Sequence, residues 1–458
     1  MMVRIADACR RLYGGCYYPI MVVVMALLGH CLEADILFIA LILLSLVPPL
    51  LFCRDLRFAI APYLCVYYTI STGDYRPSDI SIERFLHPGT LILGGAIAIL
   101  LLSAFAVFTR RNSPFANRIP KSSLLWSMLI FCCVLLTNGA FHGEYTPKNI
   151  AFVFTLIFPL LIGYFLFARY VRFDDTAFSY FLYCLLLAGL LISAELLFAY
   201  ATTVQFEAGQ IVKGSVVLGW GVWTNVGSLL AMLMPAAFYF AYSHRHGWIG
   251  FAIGLFEYFC IVLSQSRGAL LVGTVALALC LLTLCVGGRN RRINRFLTAA
   301  ILLFGAIILA LFAKKLVVLV QGFLQTGFSD NGRIEIWKLG IQNFFERPIF
   351  GCGFYDSYQN DAWDVGVFPH LFHNTPIQLL SSAGMLGLLA YLWHRICTLR
   401  AVFARPSHKK IFLSIGILAF LLFNLIDVVF FLIYPTMFYA LMLLFIENSE
   451  VTDADALR

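Results

Sequence analysis

The chain carries a histidine at a point where the sequence predicts a helix to begin. His373 is followed by Asn374-Thr375-Pro376, and Asn or Thr before Pro is typical of a capped helix start. A helix start has unpaired amides and a partial positive charge, so it suits an anion. It also favours the neutral imidazole, which is the form that a general base requires. These residues therefore predict a general base at a helix start that also suits an anion.

Two arginines lie at similar polar breaks in the sequence. Arg267 follows Ser266, a predicted cap between two apolar runs, and Arg333 begins an amphipathic segment after a turn at residues 329–332. Planar guanidinium groups bind phosphate oxygens well. Either arginine alone is more typical of an interfacial residue that extends to lipid headgroups. Both interpretations stay open on these residues by themselves.

The elements that position these residues are membrane helices. Of the 458 residues, 61% are apolar and 12% are charged, whereas soluble domains have about 25% charged residues. This composition excludes a soluble enzyme and a disordered protein. A disulfide scaffold is also excluded, because the 13 cysteines lie mostly in apolar runs. It predicts an all-α, polytopic integral membrane bundle.

Runs of about 20 apolar residues predict fourteen spans, with twelve or thirteen as alternatives. The predicted spans are 18–32, 35–53, 57–73, 89–108, 123–140, 150–168, 177–199, 222–242, 247–264, 268–286, 296–316, 375–394, 411–426 and 428–446. If the N-terminus is inside, 22 of the 32 lysines and arginines fall in inner segments, as the positive-inside rule requires. Both termini are then cytoplasmic, and the net charge of +8 is an orientation signal and not a nucleic-acid surface.

The predicted outer loop at 317–373 is the longest stretch between spans. Within it, five apolar residues fall on one helical stripe: Ile334, Trp337, Ile341, Phe344 and Phe345. This pattern predicts an amphipathic helix that lies along the membrane surface or across the mouth of the bundle.

Metal-binding alternatives are weak in this sequence. The only Asp-x-Asp pattern, at 453–455, is in the tail predicted to be cytoplasmic. His370 and His373 form an i, i+3 pair with Asp361 and Asp364 nearby, but the spacing fixes no third ligand. We expect no metal and no cofactor.

Two acidic residues have two interpretations each. Glu257 falls in the middle of a span, where an acid is costly. It either bonds to a neighbouring helix or lines a path for a lipid carrier. Asp427 lies at the predicted outer turn between the last two spans. It is either a cap of the helix turn or a residue of the site.

The order of these motifs resembles the O-antigen ligase and O-antigen polymerase family. The resemblance rests on Ser266-Arg267-Gly268, Gly332-Arg333, Trp337, Pro348, Gly351, Gly353, His373-Asn374, Gly384 and Gly387. It covers roughly residues 220–400, while the first half matches only as a multi-span scaffold. We therefore predict a scaffold at 1–219, a ligase-like module at 220–400 with the outer loop 317–373, and terminal spans and tail at 401–458.

The resemblance implies a bacterial plasma-membrane glycosyltransferase. Such enzymes move a glycan from a polyprenyl-diphosphate carrier to an acceptor on the outer face. It would make Arg267 and Arg333 diphosphate-binding residues and His373 the group that activates the acceptor hydroxyl, with Asn374, Trp337 and Asp427 in supporting roles. Direct attack by that hydroxyl would invert the anomeric carbon.

The sequence does not distinguish a glycan, lipid or protein acceptor, so ligase, polymerase and protein-glycosylating activities stay open. Expected partners are the lipid-linked donor and membrane lipid, with no nucleic acid. A flippase is the alternative from another class. Transporters of that class are recognised by broken helices and by charged groups near the midplane of the membrane. The clustering of basic and aromatic residues on one outer loop favours surface chemistry.

Overall fold

A computed structural model describes residues 9, 11–71, 85–112, 114, 122–141, 145–207, 210–311, 333–355, 371–404 and 407–455. The predicted turn at 329–332 and the metal candidates Asp361, Asp364 and His370 lie outside these residues, as do the side chains of 453–455. Two short antiparallel ribbons pair Phe206–Glu207 with Gln210–Ile211 and Val217–Leu218 with Gly221–Val222. The other regular elements of this part of the chain are helices.

The described α-helices are numbered in chain order. They are α1 Tyr17–Cys31, α2 Asp35–Leu44, α3 Val47–Phe52, α4 Ile60–Cys65, α5 Pro88–Arg111, α6 Ser123–Leu135, α7 Pro147–Ile157, α8 Tyr164–Tyr170, α9 Asp175–Thr202, α10 Trp223–Ser243, α11 Gly247–Leu263, α12 Arg267–Val286, α13 Arg291–Leu311, α14 Arg333–Glu346, α15 Thr375–Phe403, α16 His408–Phe423 and α17 Ile433–Asp455. A π-helical turn, Phe158–Gly163, joins α7 to α8.

The prediction of a polytopic helical membrane protein is confirmed. Within the described residues, seven helical stretches are long and apolar enough to cross a membrane, and three shorter apolar helices accompany them. Within the described residues, each predicted span overlaps helical structure, but the described part of the span predicted at 57–73 is divided into Leu56–Ala59, α4 and Val66–Thr69. Proline is best tolerated in the first turn of a helix, and Pro62 lies in the first turn of α4.

The most buried helices lie at the centre of the bundle. Burial reaches 83% in the apolar window of α10 and 67% in that of α9, but only 17% in that of α5. Helix α10 packs against α9, α11, α12 and α16. Because α10 is covered on all sides, its sequence is apolar around the whole helix, as is typical of a fully buried span.

Two charged residues differ from their predicted surroundings. Arg395, which directly follows the span predicted at 375–394, lies within α15 and is 8% exposed. Its guanidinium lies 4.3 Å from the ring centre of Tyr391 and 4.5 Å from that of Phe430, and it donates to the Tyr439 hydroxyl. These aromatic faces replace part of its hydration. Glu257 is fully buried against Gly189, and neither carboxyl oxygen has a hydrogen-bond partner among the described residues.

Helix α15 is kinked where the chain from 348 to 353 crosses it. Met385 donates its amide to the Pro348 carbonyl over 2.8 Å, and the Cys352 amide donates to the Ser381 carbonyl over 2.8 Å. At the kink, Gly384 has φ 66° and ψ −161°, a conformation that is essentially restricted to glycine. The glycine therefore permits the close crossing that fixes the first part of α15, which follows His373.

Replacing Gly384 by alanine should destabilise the fold. The unfavourable backbone conformation costs about 1–3 kcal/mol, and a Cβ would also collide with the Ile349 carbonyl oxygen. We expect Gly384→Ala to lower the melting temperature of the purified protein in detergent. Gly94→Ala is the matched control, because that helical glycine has open space around it and alanine favours helix. Equal melting temperatures for the two variants would contradict this account.

Candidate active site

The starts of three helices, α12, α14 and α15, meet at the turn that joins α16 to α17. His373 approaches this turn from the start of α15, and its Nδ1 atom lies 3.0 Å from Oδ1 of Asp427. The His373 side chain is 43% exposed and that of Asp427 only 8%. The imidazole is therefore the exposed member of the pair, and the buried carboxylate supports it through Nδ1.

The Asp427 carboxyl is held in its charged form. Burial by itself raises its pKa, but the hydrogen bond and charge of His373, the Val428 amide and the charge of Arg333 outweigh that effect. The pKa of Asp427 is thus lower than its ordinary value of 3.8. An ionised carboxylate only accepts hydrogen bonds, so the Nδ1 atom of His373 carries a proton. In the neutral ring, the Nε2 atom then carries the lone pair that can accept a proton.

The backbone before the histidine is fixed from two sides. The Trp337 indole donates to the Phe372 carbonyl over 2.9 Å, and the Phe372 amide donates to Oε1 of Gln378 over 2.8 Å. His373 itself has φ 50°, a left-handed conformation that is uncommon for residues other than glycine. Unfavourable backbone of this kind persists where the surroundings hold it, and it is concentrated at functional sites.

The start of α15 is joined directly to the turn that carries Asp427. The Asn374 side chain caps the helix by accepting from the Ile377 amide, and it donates to the Leu425 carbonyl over 3.0 Å. The Thr375 hydroxyl donates to Oδ1 of Asn424 over 3.1 Å. These bonds join the start of α15 to the turn after α16, and they therefore fix the distance between His373 and Asp427.

Both sequence-predicted arginines begin helices that reach the same turn. Arg333 donates from a guanidinium nitrogen to the Ile426 carbonyl over 3.0 Å. Arg267 is exposed at the first residue of α12, which Ser266 caps. The next residue, Gly268, packs so closely that an added Cβ would lie 3.0 Å from Cγ2 of Ile426. The turn therefore has an arginine-bearing helix start on each of two sides.

Helix α14 lies across the start of α15. An added Cβ at Gly340 would lie 2.6 Å from Cγ2 of Ile377, and Asn343 donates to the Ser381 hydroxyl over 2.9 Å.

The first half of the chain also contributes hydrogen bonds to the segment that follows α14. Asn138 accepts from the Phe354 amide. Asn149 likewise accepts from the Tyr355 amide. The scaffold thus holds the segment that leads from α14 towards His373.

The structure brings together residues that were predicted separately. His373, Arg333, Trp337, Asn374 and Asp427 surround or support one turn, and the helix that Arg267 begins packs against it. Sequence reasoning missed two supporting residues, Gln378 and Asn424, and gave Thr375 no role beyond the predicted helix start. The available signal was the run Asn424-Leu425-Ile426-Asp427, which places two polar residues in an otherwise apolar hairpin.

No group of three or more His, Cys, Asp or Glu side chains in the described ranges is arranged to hold a metal ion. The independence of the reaction from metal remains a prediction. The described groups themselves can offer a base at Nε2 of His373, a carboxylate that fixes its tautomer, and positive charge from Arg333 and from helix starts. Such a set can accept a proton from a hydroxyl next to an anionic group.

The comparison with known proteins supports the resemblance seen in the sequence. Residues 229–392 match the family model described as O-antigen ligase. The exopolysaccharide production protein ExoQ of Rhizobium meliloti (strain 1021) is 25% identical over 174 residues, which are 35% of this chain and 40% of ExoQ. The chain therefore matches less than half of that relative's length. The matched family region contains Arg267, Arg333 and His373, whereas Asp427 lies beyond it.

Proposed function

We propose that this protein, whose residues 229–392 match the family model described as O-antigen ligase, is a membrane glycosyltransferase of surface polysaccharide biosynthesis. It moves a glycan from a polyprenyl-diphosphate carrier to an acceptor hydroxyl on the outer face of the bacterial plasma membrane. Both termini lie in the cytoplasm. The reaction uses no metal and no cofactor.

One observation carries this proposal: the hydrogen bond between Nδ1 of His373 and the buried, ionised Asp427. It leaves Nε2 as the acceptor of the proton from the attacking hydroxyl. General-base assistance of this kind contributes about 10²–10⁴-fold. As the hydroxyl oxygen bonds to the anomeric carbon, the bond to the diphosphate oxygen breaks and its electron pair leaves with the diphosphate. This single displacement inverts the anomeric configuration, and retention in the product would contradict it.

The two arginines serve the leaving group. Negative charge develops on the diphosphate as the glycosidic bond breaks, and fixed guanidinium groups stabilise that charge without reorganisation. Arg333 is already held by the Ile426 carbonyl, so part of its side-chain freedom is lost before the donor binds. The N-terminal ends of α12 and α15 add partial positive charge.

The direct test uses the full chain, purified in detergent or nanodiscs, with a polyprenyl-diphosphate-linked glycan and candidate acceptors. Transfer to the acceptor, monitored by mass spectrometry, is the expected result. If purified protein only moves the intact lipid-linked glycan between leaflets of a vesicle, the flippase alternative replaces this proposal.

A second candidate is a polysaccharide polymerase of the same family. It is favoured by the similarity to a protein of exopolysaccharide production, since a polymer grows when its own carrier-linked chain is the acceptor. The two activities separate when the carrier-linked glycan is offered alone. A polymerase extends it, whereas a ligase transfers only after a distinct glycan, lipid or protein acceptor is added.

Replacing either arginine by lysine should weaken use of the donor. Arg333→Lys and Arg267→Lys keep the positive charge but lose the planar fork. Loss of a charge-assisted hydrogen bond costs about 1.5–3 kcal/mol, or roughly 10- to 100-fold in kcat/KM for the donor. Lys338→Ala is the control, because this lysine is exposed on the same helix as Arg333. Unchanged donor kinetics in both arginine variants would refute their assignment to the diphosphate.

A further inference from the structure

Helix α14 has three faces, although its sequence predicted one apolar stripe. Trp337, Gly340 and Asn343 face α15 and the residues before it. Ile334, Ile341 and Phe345 recur at helical spacing but are 49%, 42% and 75% exposed. Because successive residues of a helix are rotated by about 100°, this exposed apolar stripe lies about a third of a turn from the packed face.

The third face of α14 is polar. It consists of Glu335, Lys338, Gln342 and Glu346, all of which are exposed. It lies about a quarter of a turn from the exposed apolar stripe. A helix with one face on protein, one apolar face and one charged face has the pattern of a helix that lies at a membrane–water interface.

The exposed apolar stripe continues onto the side of the bundle. After α14, Ile349 is 57% exposed, and its carbonyl accepts from the Leu386 amide of α15 over 3.4 Å. Beyond this point α15 exposes Leu389 and Trp393, at 54% and 46%. These residues belong to a helix long and apolar enough to span the membrane. The stripe therefore leads to the exposed apolar side of a candidate membrane span.

A second element extends the same surface. Phe141 follows α6 and is 85% exposed, and its ring centre lies 5.1 Å from that of Phe350. The backbone there has φ 67° at Phe141, and the Gly139 amide donates to the Phe350 carbonyl over 3.0 Å. The tertiary structure thus holds a phenylalanine outward beside the chain that follows α14.

We infer that Ile334, Ile341, Phe345, Ile349 and Phe141 form a membrane-docking surface that seats α14 in the headgroup region of the lipid bilayer. The occupant is bulk phospholipid. The consequence for the site is positional: Arg333, at the start of the same helix, is held at the depth of lipid headgroups. The inference concerns lipid contact alone, so it can fail or succeed independently of the glycosyltransferase proposal.

Photo-crosslinking tests this surface in the full chain. p-Benzoylphenylalanine replaces Phe345 or Phe141 in protein reconstituted into vesicles of radiolabelled phosphatidylethanolamine and phosphatidylglycerol. The matched control replaces Gln342, which is exposed on the polar face of the same helix. We expect several-fold more labelled lipid on the protein from positions 345 and 141 than from 342.

The inference is overturned if position 345 captures no more lipid than position 342, or if the adducts at 345 and 141 are with protein or glycan. Phe345→Trp provides a second measurement should the crosslinking variants fold poorly. Its additional fluorescence should be quenched by phospholipids brominated high on the acyl chain, whereas the additional fluorescence of Gln342→Trp should be quenched less. Equal quenching at the two positions would also overturn the inference.

Discussion

His373→Ala and His373→Asn should each reduce glycan transfer about 10²–10⁴-fold, which is the usual contribution of a general base. Both variants remove Nε2, the nitrogen that receives the proton of the acceptor hydroxyl. The asparagine variant is the sharper of the two. Its amide nitrogen can replace Nδ1 as a donor to Asp427, and asparagine tolerates positive φ better than most residues. The variant therefore retains the local structure but has no base.

The measurement is kcat for transfer at saturating donor, together with the melting temperature of each variant. We expect His373→Asn to keep the wild-type melting temperature while kcat falls, with little change in donor KM. His246→Ala is the control, because His246 is exposed in the turn before α11. If His373→Asn retains wild-type kcat, His373 is not the base, and the proposed mechanism fails while the fold stands.

The helices of the fold could be predicted from the sequence, because a lipid environment requires long apolar segments with internally bonded backbone. The span predicted at 57–73 shows the limit of that rule. Its hydropathy is continuous, but Pro62 restricts the local backbone and the segment forms three short pieces. Hydropathy measures transfer to lipid and does not report such interruptions.

The site was predicted as separate parts. Each of Arg267, Arg333 and His373 has a local signal, namely a polar break or a helix start. The pairing of His373 with Asp427 has none, because the two residues are 54 positions apart and no short-range pattern fixes their distance. It depends on Asn374 and Thr375, whose bonds to the turn after α16 exist only in the folded bundle.

The amphipathic helix illustrates a related limit. The helical spacing of its apolar residues was predictable from the sequence, and Trp337 and Ile341 were assigned to one apolar stripe. In the structure, the Trp337 indole bonds to the backbone before His373 while Ile341 is exposed. A hydrophobic period locates apolar positions around a helix, but it does not say which of them meet protein and which meet lipid.

Asp427→Asn should reduce kcat by a factor comparable to that of the histidine variants. In Ser-His-Asp enzymes the same change of the aspartate costs about 10⁴-fold, because the histidine takes the wrong tautomer. The same reasoning applies here. An asparagine amide can donate to Nδ1 of His373, which would move the ring proton to Nε2 and remove the base. Glu335→Gln, a change of an exposed acid on α14, is the control and should keep wild-type kcat.

The pH dependence of stability separates this role from simple packing. The pKa of Asp427 is lower in the folded protein than its ordinary value of 3.8, since the bonds and charges around it outweigh its burial. A carboxyl whose pKa is lower in the folded protein stabilises the fold at a pH above its pKa in the unfolded chain. That stabilisation is lost as the pH falls through the folded-state pKa. Wild-type protein should therefore lose stability below about pH 4, near the ordinary pKa of aspartate, more steeply than Asp427→Asn. If the two unfolding profiles have the same slope there, the carboxylate is not held ionised by His373 and Arg333. If Asp427→Asn keeps the wild-type kcat, the tautomer of His373 is fixed by something other than Asp427.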